Sequence, residues 1–544
     1  STQNFNLFIS VKNAEASFFS SKPNYTVTPP STADHAICLA SYVTRKNWTN
    51  VWNEGWQYQN TSEDSISNFS SRGPRVDGAI KPNLTAPGQG IISIRDQKTD
   101  WSDLKERLID SDGSNLNGQP PYEYVILEGT SMASAMAAGA AAVLIDSFPY
   151  LKDRPELLYE AMQKTAQDII PGTNIDGHGL IDLEKAYDTL PDNVYVGDFN
   201  GDGILDIVTV DPTGGASVHQ SVTIRNLWIG WISTKTSWPQ RFSEIHVGDF
   251  NGDGIDDLLT ADSRGGAVVR QSVTLTGNFN GWKSKWAAWP SEYSEIFVGD
   301  FNGDGVDDIL TKDPRGRAAV RQAKVFNDSF NGWKSVWANW NPEHTRVLVG
   351  DFNGDGIDDI VTHDPFNGAA VRQAKVHKGT FVRWQTAWGG MTNGVVKLQV
   401  GDFNGDGVSD LITLDGDGRA TVRQTRVKGG EFNYFMDIPA DWDSDFCRFF
   451  VGDFNGDGSD DVLTVKPYGG AAIRQASVTE GMFTNWINKP ASWSGKFPIL
   501  FVGNFSQTNT DEILTVSLEG ESAMRRSIID SGNWNGWFSK KANW

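Results

Sequence analysis

The phrase Asp-Phe-Asn-Gly-Asp-Gly opens at Asp198, Asp249, Asp300, Asp351, Asp402 and Asp453, each 51 residues after the last. One further step reaches Asn504 in VGNFSQTNTDEILTV, a decayed seventh copy. A fixed period of this length constrains the fold strongly, because each copy must be one supersecondary unit that buries its apolar face against its neighbours. The frame places the first copy near residue 188 and ends with the chain, since Trp544 lies 51 residues after Trp493. Within a copy, an alternating run such as FVGDF stops at the acidic phrase and an apolar run such as DDILTKD follows. A Gly-rich turn, the run AAVRQA and an aromatic segment such as NGWKSVWANW complete it. Four short strands with punctuation between them suit a propeller blade, and seven blades closing into a disc leave no long sheet edge open. A solenoid is the alternative, but it needs atypical capping repeats and these copies begin and end abruptly. Residues 188–544 are expected to form an all-β, seven-bladed propeller.

The acidic loop reads as a calcium loop. In the second copy, oxygen-bearing side chains stand at loop positions 1, 3, 5 and 9, as Asp249, Asn251, Asp253 and Asp257, and Ile255 at position 7 can offer its backbone carbonyl. The same set recurs as Asp198, Asn200, Asp202, Ile204 and Asp206, then as Asp300, Asn302, Asp304, Val306 and Asp308. It returns as Asp351, Asn353, Asp355, Ile357 and Asp359, as Asp402, Asn404, Asp406, Val408 and Asp410, and as Asp453, Asn455, Asp457, Ser459 and Asp461. Several hard oxygens from one short loop, carboxylate and carbonyl mixed, suit calcium better than magnesium. The bland alternative is a set of solvated Asx turns. Six copies with fixed ligand positions weigh against it. The seventh copy carries Asn504, Ser506, Thr508 and Glu512 at positions 1, 3, 5 and 9 and is expected to stay empty. The expectation is therefore six structural calcium ions. Strands flank the loop and its closing acid comes at position 9, so it resembles the FG-GAP loop of integrin alpha chains.

Arginine and tryptophan also recur. Arg270, Arg321, Arg372, Arg423 and Arg474 occupy one repeat position, and Trp282 and Trp333 another. Packing between blades, with arginine paired to a neighbouring carboxylate, is one reading. The other is a ring of ligand pockets, with indole faces stacking on sugars. The repeat number and loop type resemble fungal lectins built on an integrin-like propeller, which implies such a ligand without matched contact residues.

Residues 1–187 lack the repeat. YVILEGTSMASAMAAGAAAVLI places Ser131 on the turn that starts an Ala-rich helix, where the helix amino end favours negative charge. SISNFSSRGP, IKPNLTAPGQGI and GHGLIDLEKA stand around it. These segments, in this order, resemble the carboxy-terminal part of the subtilisin-like serine proteases, a partial α/β domain. The resemblance implies that Ser131 is the nucleophile, with a histidine base and an orienting aspartate. Three positions depart from the family pattern: Ala135 and Met136 stand where it has Pro and His, and Asn83 stands where Asp is common. The family's Asp and HGT motifs are absent, and His35 is the only histidine ahead of Ser131. The partner expected is an upstream protease fragment that carries the missing Asp and His, and this chain alone is expected to be inactive. Residues 1–34 alternate like strands and read as a possible insertion.

The balance of 68 acidic against 47 basic residues argues against nucleic acid. No run of about 20 apolar residues suggests a membrane span. The chain opens on a polar stretch without a signal peptide and reads as a processed product. Cys38 and Cys447 lie too far apart to suggest a disulfide framework. The chain therefore reads as a secreted or cell-surface subtilisin-like endopeptidase whose propeller holds a protein or glycan. The rival is a non-catalytic lectin or adhesin with a protease relic.

Overall fold

The computed structural model describes residues 26–544 apart from 28, 35, 97–101, 110–123, 153, 171–173, 212, 239–243, 263–265, 291–294, 314, 341–345, 365–367, 392–393, 441, 443–447, 467–469 and 492–496. The expectation for residues 1–34 therefore lies largely outside the described residues, and so does His35. The chain divides into two units, Ser1–Leu190 and Pro191–Trp544.

In the first unit the strands are β1 (Leu39–Val43), β2 (Asn47–Thr49), β3 (Gly55–Gln57), β4 (Leu84–Ile94), β5 (Leu108–Ile109) and β6 (Tyr124–Glu128). Four of them form a sheet in the order β1-β4-β6-β5, with β1 parallel to β4 and the other pairs antiparallel. Three helices follow: α1 (Thr130–Ser147), α2 (Pro155–Thr165) and α3 (Leu183–Thr189). Helix α1 buries Ala133, Ala137, Ala140 and Leu144, one stripe at helical spacing. Alanine lets the helix come close to the sheet, and Ala133 and Ala137 pack with Ala86 of β4, Leu39 of β1 and Ile181. Asp182 caps α3 by accepting from the Lys185 backbone N–H at 2.9 Å.

The opposite face of α1 is apolar too, and Met136 and Val143 stay exposed on it. A helix that is apolar all round normally has cover on both sides. By length and composition alone α1 could cross a membrane. Its alanine stripe instead packs on the sheet, as the core helix of a globular domain does.

The second unit contains seven four-stranded sheets, each a meander of four consecutive strands. Sheet one comprises β7 (Asn193–Gly197), β8 (Asp206–Val210), β9 (Gly215–Ile224) and β10 (Leu227–Ser237). Sheet two comprises β11 (Glu244–Gly248), β12 (Asp257–Ala261), β13 (Ala267–Leu275) and β14 (Asn278–Trp286). Sheets three to seven span residues 295–337, 346–390, 395–439, 448–490 and 499–541. All pairs are antiparallel, and the acidic loop joins the first two strands, with Gly248 opposite Asp257 in sheet two. The second strand is buried on both faces throughout, which explains its unbroken apolar run.

One phenylalanine per copy fixes the packing between sheets. Phe199, Phe250, Phe301, Phe352, Phe403, Phe454 and Phe505 are all fully buried. Each core cluster joins two successive sheets; one combines Phe199, Val208 and Trp238 of copy one with Ile245, Leu258 and Phe279 of copy two. Burying such a side chain contributes roughly 1.5–3 kcal/mol.

One backbone hydrogen bond repeats at every junction. Asp256 N–H donates to Asp198 O at 2.8 Å, Asp307 N–H to Asp249 O at 2.8 Å, and so on to Asp511 N–H and Asp453 O at 2.7 Å. At the equivalent position of copy one, Leu205 N–H donates to Asn504 O of copy seven at 2.9 Å. A second bond behaves alike: the indoles of Trp333 and Trp486 donate to Ala287 O and Ala440 O of the preceding copies. The Trp231 indole of copy one donates to Ala542 O of copy seven at 2.7 Å.

Candidate functional site

Ser131 is the second residue of α1 and is exposed. Gly129 lets the chain turn from β6 into the helix, because its φ of 151° lies in the region that favours glycine. Its N–H donates to Gly88 O at 2.7 Å, which ties the start of α1 to β4. The strand-to-helix junction so formed has no side-chain cap and no acidic residue in its first turn. Met132 N–H donates to Gly129 O at 3.0 Å, and the positive end of the helix stands beside Ser131, where a developing oxyanion would be stabilised.

The rest of a triad is not assembled by the described residues. Among them the first unit holds one histidine, His178, whose Nδ1 lies 3.1 Å from Gln163 Nε2. Asn83, which departs from the family pattern, has a structural role: its Oδ1 accepts from Cys38 N–H at 2.7 Å and from Lys81 Nζ at 3.0 Å.

In the acidic loops the position-1 carboxylate organises the turn. Asp249 Oδ1 accepts from Gly252 N–H and Oδ2 accepts from Gly254 N–H, both at 2.7 Å. Asp198, Asp300, Asp351, Asp402 and Asp453 repeat the pattern. The position-9 carboxylates Asp206, Asp257, Asp308, Asp359, Asp410 and Asp461 are fully buried. Burial, with the nearby position-1 and position-5 aspartates adding to it, pushes Asp257 up to about 9. The same causes push Asp206, Asp308, Asp359 and Asp410 up to about 8, and raise Asp461 well above the ordinary carboxylate range.

Several of these oxygens lack a partner. Asp257 Oδ2, Asp359 Oδ2, Asp410 Oδ2 and Asp461 Oδ2 are buried without a hydrogen bond, as are Asn302 Oδ1 and Asn404 Oδ1. A buried oxygen without a donor costs roughly 1–3 kcal/mol, and more if charged. A hard cation relieves that cost, so the donor set fits calcium. No three acidic or histidine side chains among the described residues converge as a metal cluster. The position-1 carboxylate is turned to backbone amides, and the donor set also includes asparagine and carbonyl oxygens. The seventh loop satisfies itself instead: Ser506 Oγ bonds to Glu512 Oε1, and Asn504 Nδ2 donates to Thr508 O at 2.7 Å.

The possible ligand residues Arg270, Arg321, Arg372, Arg423 and Arg474 are at most 8% exposed, which favours the packing reading over the ring of ligand pockets. Each Nε donates to a threonine of its own sheet, as Arg270 does to Thr260 at 3.0 Å. Four of the guanidiniums sit over a tryptophan of the preceding copy, as Arg270 does over Trp238 at 5.0 Å. Trp282 and Trp333 pack edge-on against Phe199 and Phe250 of the preceding copies. The physical reason is the seam between sheets, which needs large side chains to fill it.

The sequence reading overlooked the aspartate at loop position 8. Asp256, Asp307, Asp358, Asp460 and Asp511 each accept from the position-1 backbone N–H of the preceding loop, at 2.7–3.0 Å. Its recurrence in five copies was the available signal.

The comparisons with known proteins divide along the same line. Residues 4–193 match the subtilase family, Peptidase_S8. This chain therefore carries a subtilase domain followed by repeated four-stranded sheets. Residues 249–311 and 351–413 match the FG-GAP-like repeat. Serine protease AprX of Bacillus subtilis is 33% identical over 128 residues, 23% of this chain and 26% of that protein. Halolysin-like extracellular serine protease Nep of Natrialba magadii is 31% identical over 130 residues, 24% of this chain and 18% of that protein. Integrin alpha-PS2 of Drosophila melanogaster is 26% identical over 149 residues, 23% of this chain and 10% of that protein. The chain thus spans about a quarter or less of these relatives' own lengths.

Proposed function

We propose that this chain is part of an extracellular subtilisin-like serine endopeptidase, with Ser131 as its nucleophile and an upstream segment supplying the base and the orienting aspartate. The observation that carries this reading is the exposed serine at an uncapped strand-to-helix turn, inside a region matching the subtilase family. In acyl transfer Ser131 Oγ would bond to the scissile carbonyl carbon as the base takes its proton, and the α1 amides would hold the oxyanion. The exposed apolar face of α1 supports a domain completed by further chain, because such a face is stable when covered.

We infer that the seven sheets close into a propeller. The repeated seam bonds support this, since the bond from Leu205 to Asn504 joins the last copy to the first. Six calcium ions would be held by the acidic loops, each through the position-1, -3, -5 and -9 side chains and the position-7 carbonyl. Bound calcium supplies positive charge that lets the buried carboxylates ionise. The propeller would then hold a substrate, matrix or glycan.

The decisive test is a fluorophosphonate probe applied to this chain with and without an upstream segment bearing D-[ST]-G and HGT motifs. Labelling of Ser131 only in the completed form supports the reading, and no labelling in either refutes it. The rival, a binding protein without catalysis, draws on the histidine position, because His178 rests on Gln163. It would be favoured if the completed chain stayed unlabelled yet bound a glycan or protein.

A further inference from the structure

The first strands of sheets four to seven, Arg346–Gly350, Val395–Gly401, Arg448–Gly452 and Ile499–Gly503, lie side by side. A hollow of about 390 Å³ opens on them. Val349, Val400, Val451 and Val502 give it one valine from each strand, and Leu348 and Phe450 extend the apolar lining. All six are half-buried, so each keeps surface that a ligand can reach. The remaining lining residue, Gln399, is half-buried too. Its side chain makes no hydrogen bond among the described residues.

Cations stand along one edge of this hollow. Arg346, Lys397 and Arg448 pair with His363, Leu414 and Val465 of the second strands, the same register position in three successive sheets. Each lies two residues before a lining residue (Leu348, Gln399 or Phe450) and so shares its face of the strand. The Arg448 guanidinium lies over the Phe450 ring, 5.4 Å from its centroid, which places it at the hollow. Its Nη2 donates to Pro498 O at 2.8 Å. No acidic residue lines the hollow. Asp415, opposite Val395, is turned to its own loop and accepts from Asp417 N–H and Arg419 N–H, both at 2.9 Å. The repeat supplies a control. The other sheets carry Asn193, Glu244, Glu295 and Ile499 at the cation position, so the fold does not require a cation there. Glu244 lies 3.2 Å from His246 Nε2, and Glu295 pairs with Lys312 at 2.7 Å. Gln399 is likewise the one amide at its position, where the other sheets carry an aromatic ring or leucine. The three cations and the amide therefore belong to the sheets that form the hollow.

We propose that this hollow binds the free carboxyl terminus of a peptide that ends in an apolar residue. The carboxylate meets Arg346, Lys397 and Arg448, the last side chain lies among the valines, Leu348 and Phe450, and the Gln399 amide bonds the last peptide group. A fatty acid shares the carboxylate and the apolar body, but it has no peptide group for Gln399. A hollow of this size lies at the small end of ligand sites and suits one residue, not a folded segment. The inference rests on the repeat unit being a binding part of the chain, and not on Ser131 or on the acidic loops.

The test uses the full chain in calcium and the fluorescence anisotropy of a labelled short peptide ending in leucine. Beside it run the same peptide amidated at its carboxyl end, the same peptide ending in serine, and octanoate as competitor. The free acid is expected to bind, with the amide weaker by about tenfold or more, the value of one charge-assisted contact. The serine peptide is expected to be weaker by about tenfold as well, because it forgoes the burial of a leucine side chain. R346Q/K397Q is expected to weaken the free acid by about tenfold and to leave the amide unmoved, with an unchanged melting temperature. Gln399→Leu is expected to weaken the peptide and to strengthen octanoate. Absence of binding by the free acid overturns the proposal, and so does equal binding of acid and amide. Unchanged binding by folded R346Q/K397Q overturns it too. Octanoate that binds more tightly than the peptide would overturn it by making the hollow a fatty-acid site. None of these outcomes bears on Ser131, whose reading is decided by probe labelling alone.

Discussion

Stripping the chain of calcium should make its thermal stability fall as pH rises, the reverse of what most carboxylate-rich proteins do. The perturbation is chelation, followed by melting from about pH 4.5 to about pH 7.5. Asp257 has an ordinary value of 3.8 and is pushed up to about 9 in the fold, and Asp359 and Asp410 are pushed up to about 8. A carboxyl raised in this way keeps its proton in the folded chain. Its contribution is complete below the unfolded value and drains away as pH climbs through the folded one. Each pH unit in that window costs about 1.4 kcal/mol per carboxyl, so three units cost at most about 4 kcal/mol per loop. For a unit of some 350 residues that is ~5 °C per loop if it melts as one. Calcium reverses the sign, because its ligands must be deprotonated and binding releases protons. Circular dichroism melts in chelator and in calcium would therefore diverge with rising pH. Asp257→Asn, which cannot titrate, should shallow the slope in chelator. A chelated melting temperature that rises with pH, or one that calcium leaves unmoved at pH 7.5, would refute the reasoning.

Calcium content by elemental analysis should approach six per chain, and Asp461→Asn should lower it by one; a value near one would end the reading of the loops as ion sites. Phe250→Ala should cost about 3–5 kcal/mol in chemical denaturation, since it empties a fully buried seam position; a loss below ~1 kcal/mol would mean that the seam carries little of the fold. Trp231→Phe removes the indole bond to Ala542 O. It should cost about 1 kcal/mol, much as Trp486→Phe does at an ordinary junction. A negligible cost at Trp231 beside a full cost at Trp486 would argue that copies one and seven do not meet in solution.

Much of the fold was legible because the repeat averages out local noise. Four strands per copy and the loop between the first two follow from alternation, glycine and a fixed period. The acidic positions were legible because the same residue types return at a fixed step of 51 residues. The arginines left two readings open because sequence gives a residue type without its depth. Arg270 could as well face solvent, and only burial beneath Trp238 shows that it fills a seam. Asp256 was passed over because it adjoins the position-9 ligand and looked like part of the same acidic run. In the first unit the motif around Ser131 located the turn.

The position-8 aspartate changes what the acidic loops can do. Asp249 offers its carboxylate to the loop, its carbonyl to Asp307 N–H and its own N–H to Asp307 Oδ2. If the proposed ion binds, one residue serves both that ion and the seam to the next copy. An ion at Asp249 would stiffen a junction as well as a hairpin, and its loss would loosen two sheets. Where copy one bonds to copy seven, Leu205 replaces the aspartate, so of this pair of bonds only the backbone one to Asn504 remains. That seam lies beside the loop that satisfies itself through Ser506 and Glu512 and is expected to hold no ion. The two features are separable, because at the junction between copies four and five Ser409 stands at position 8 and bonds Asp351 O through its backbone N–H, while the Asp351 loop keeps its full set of oxygens.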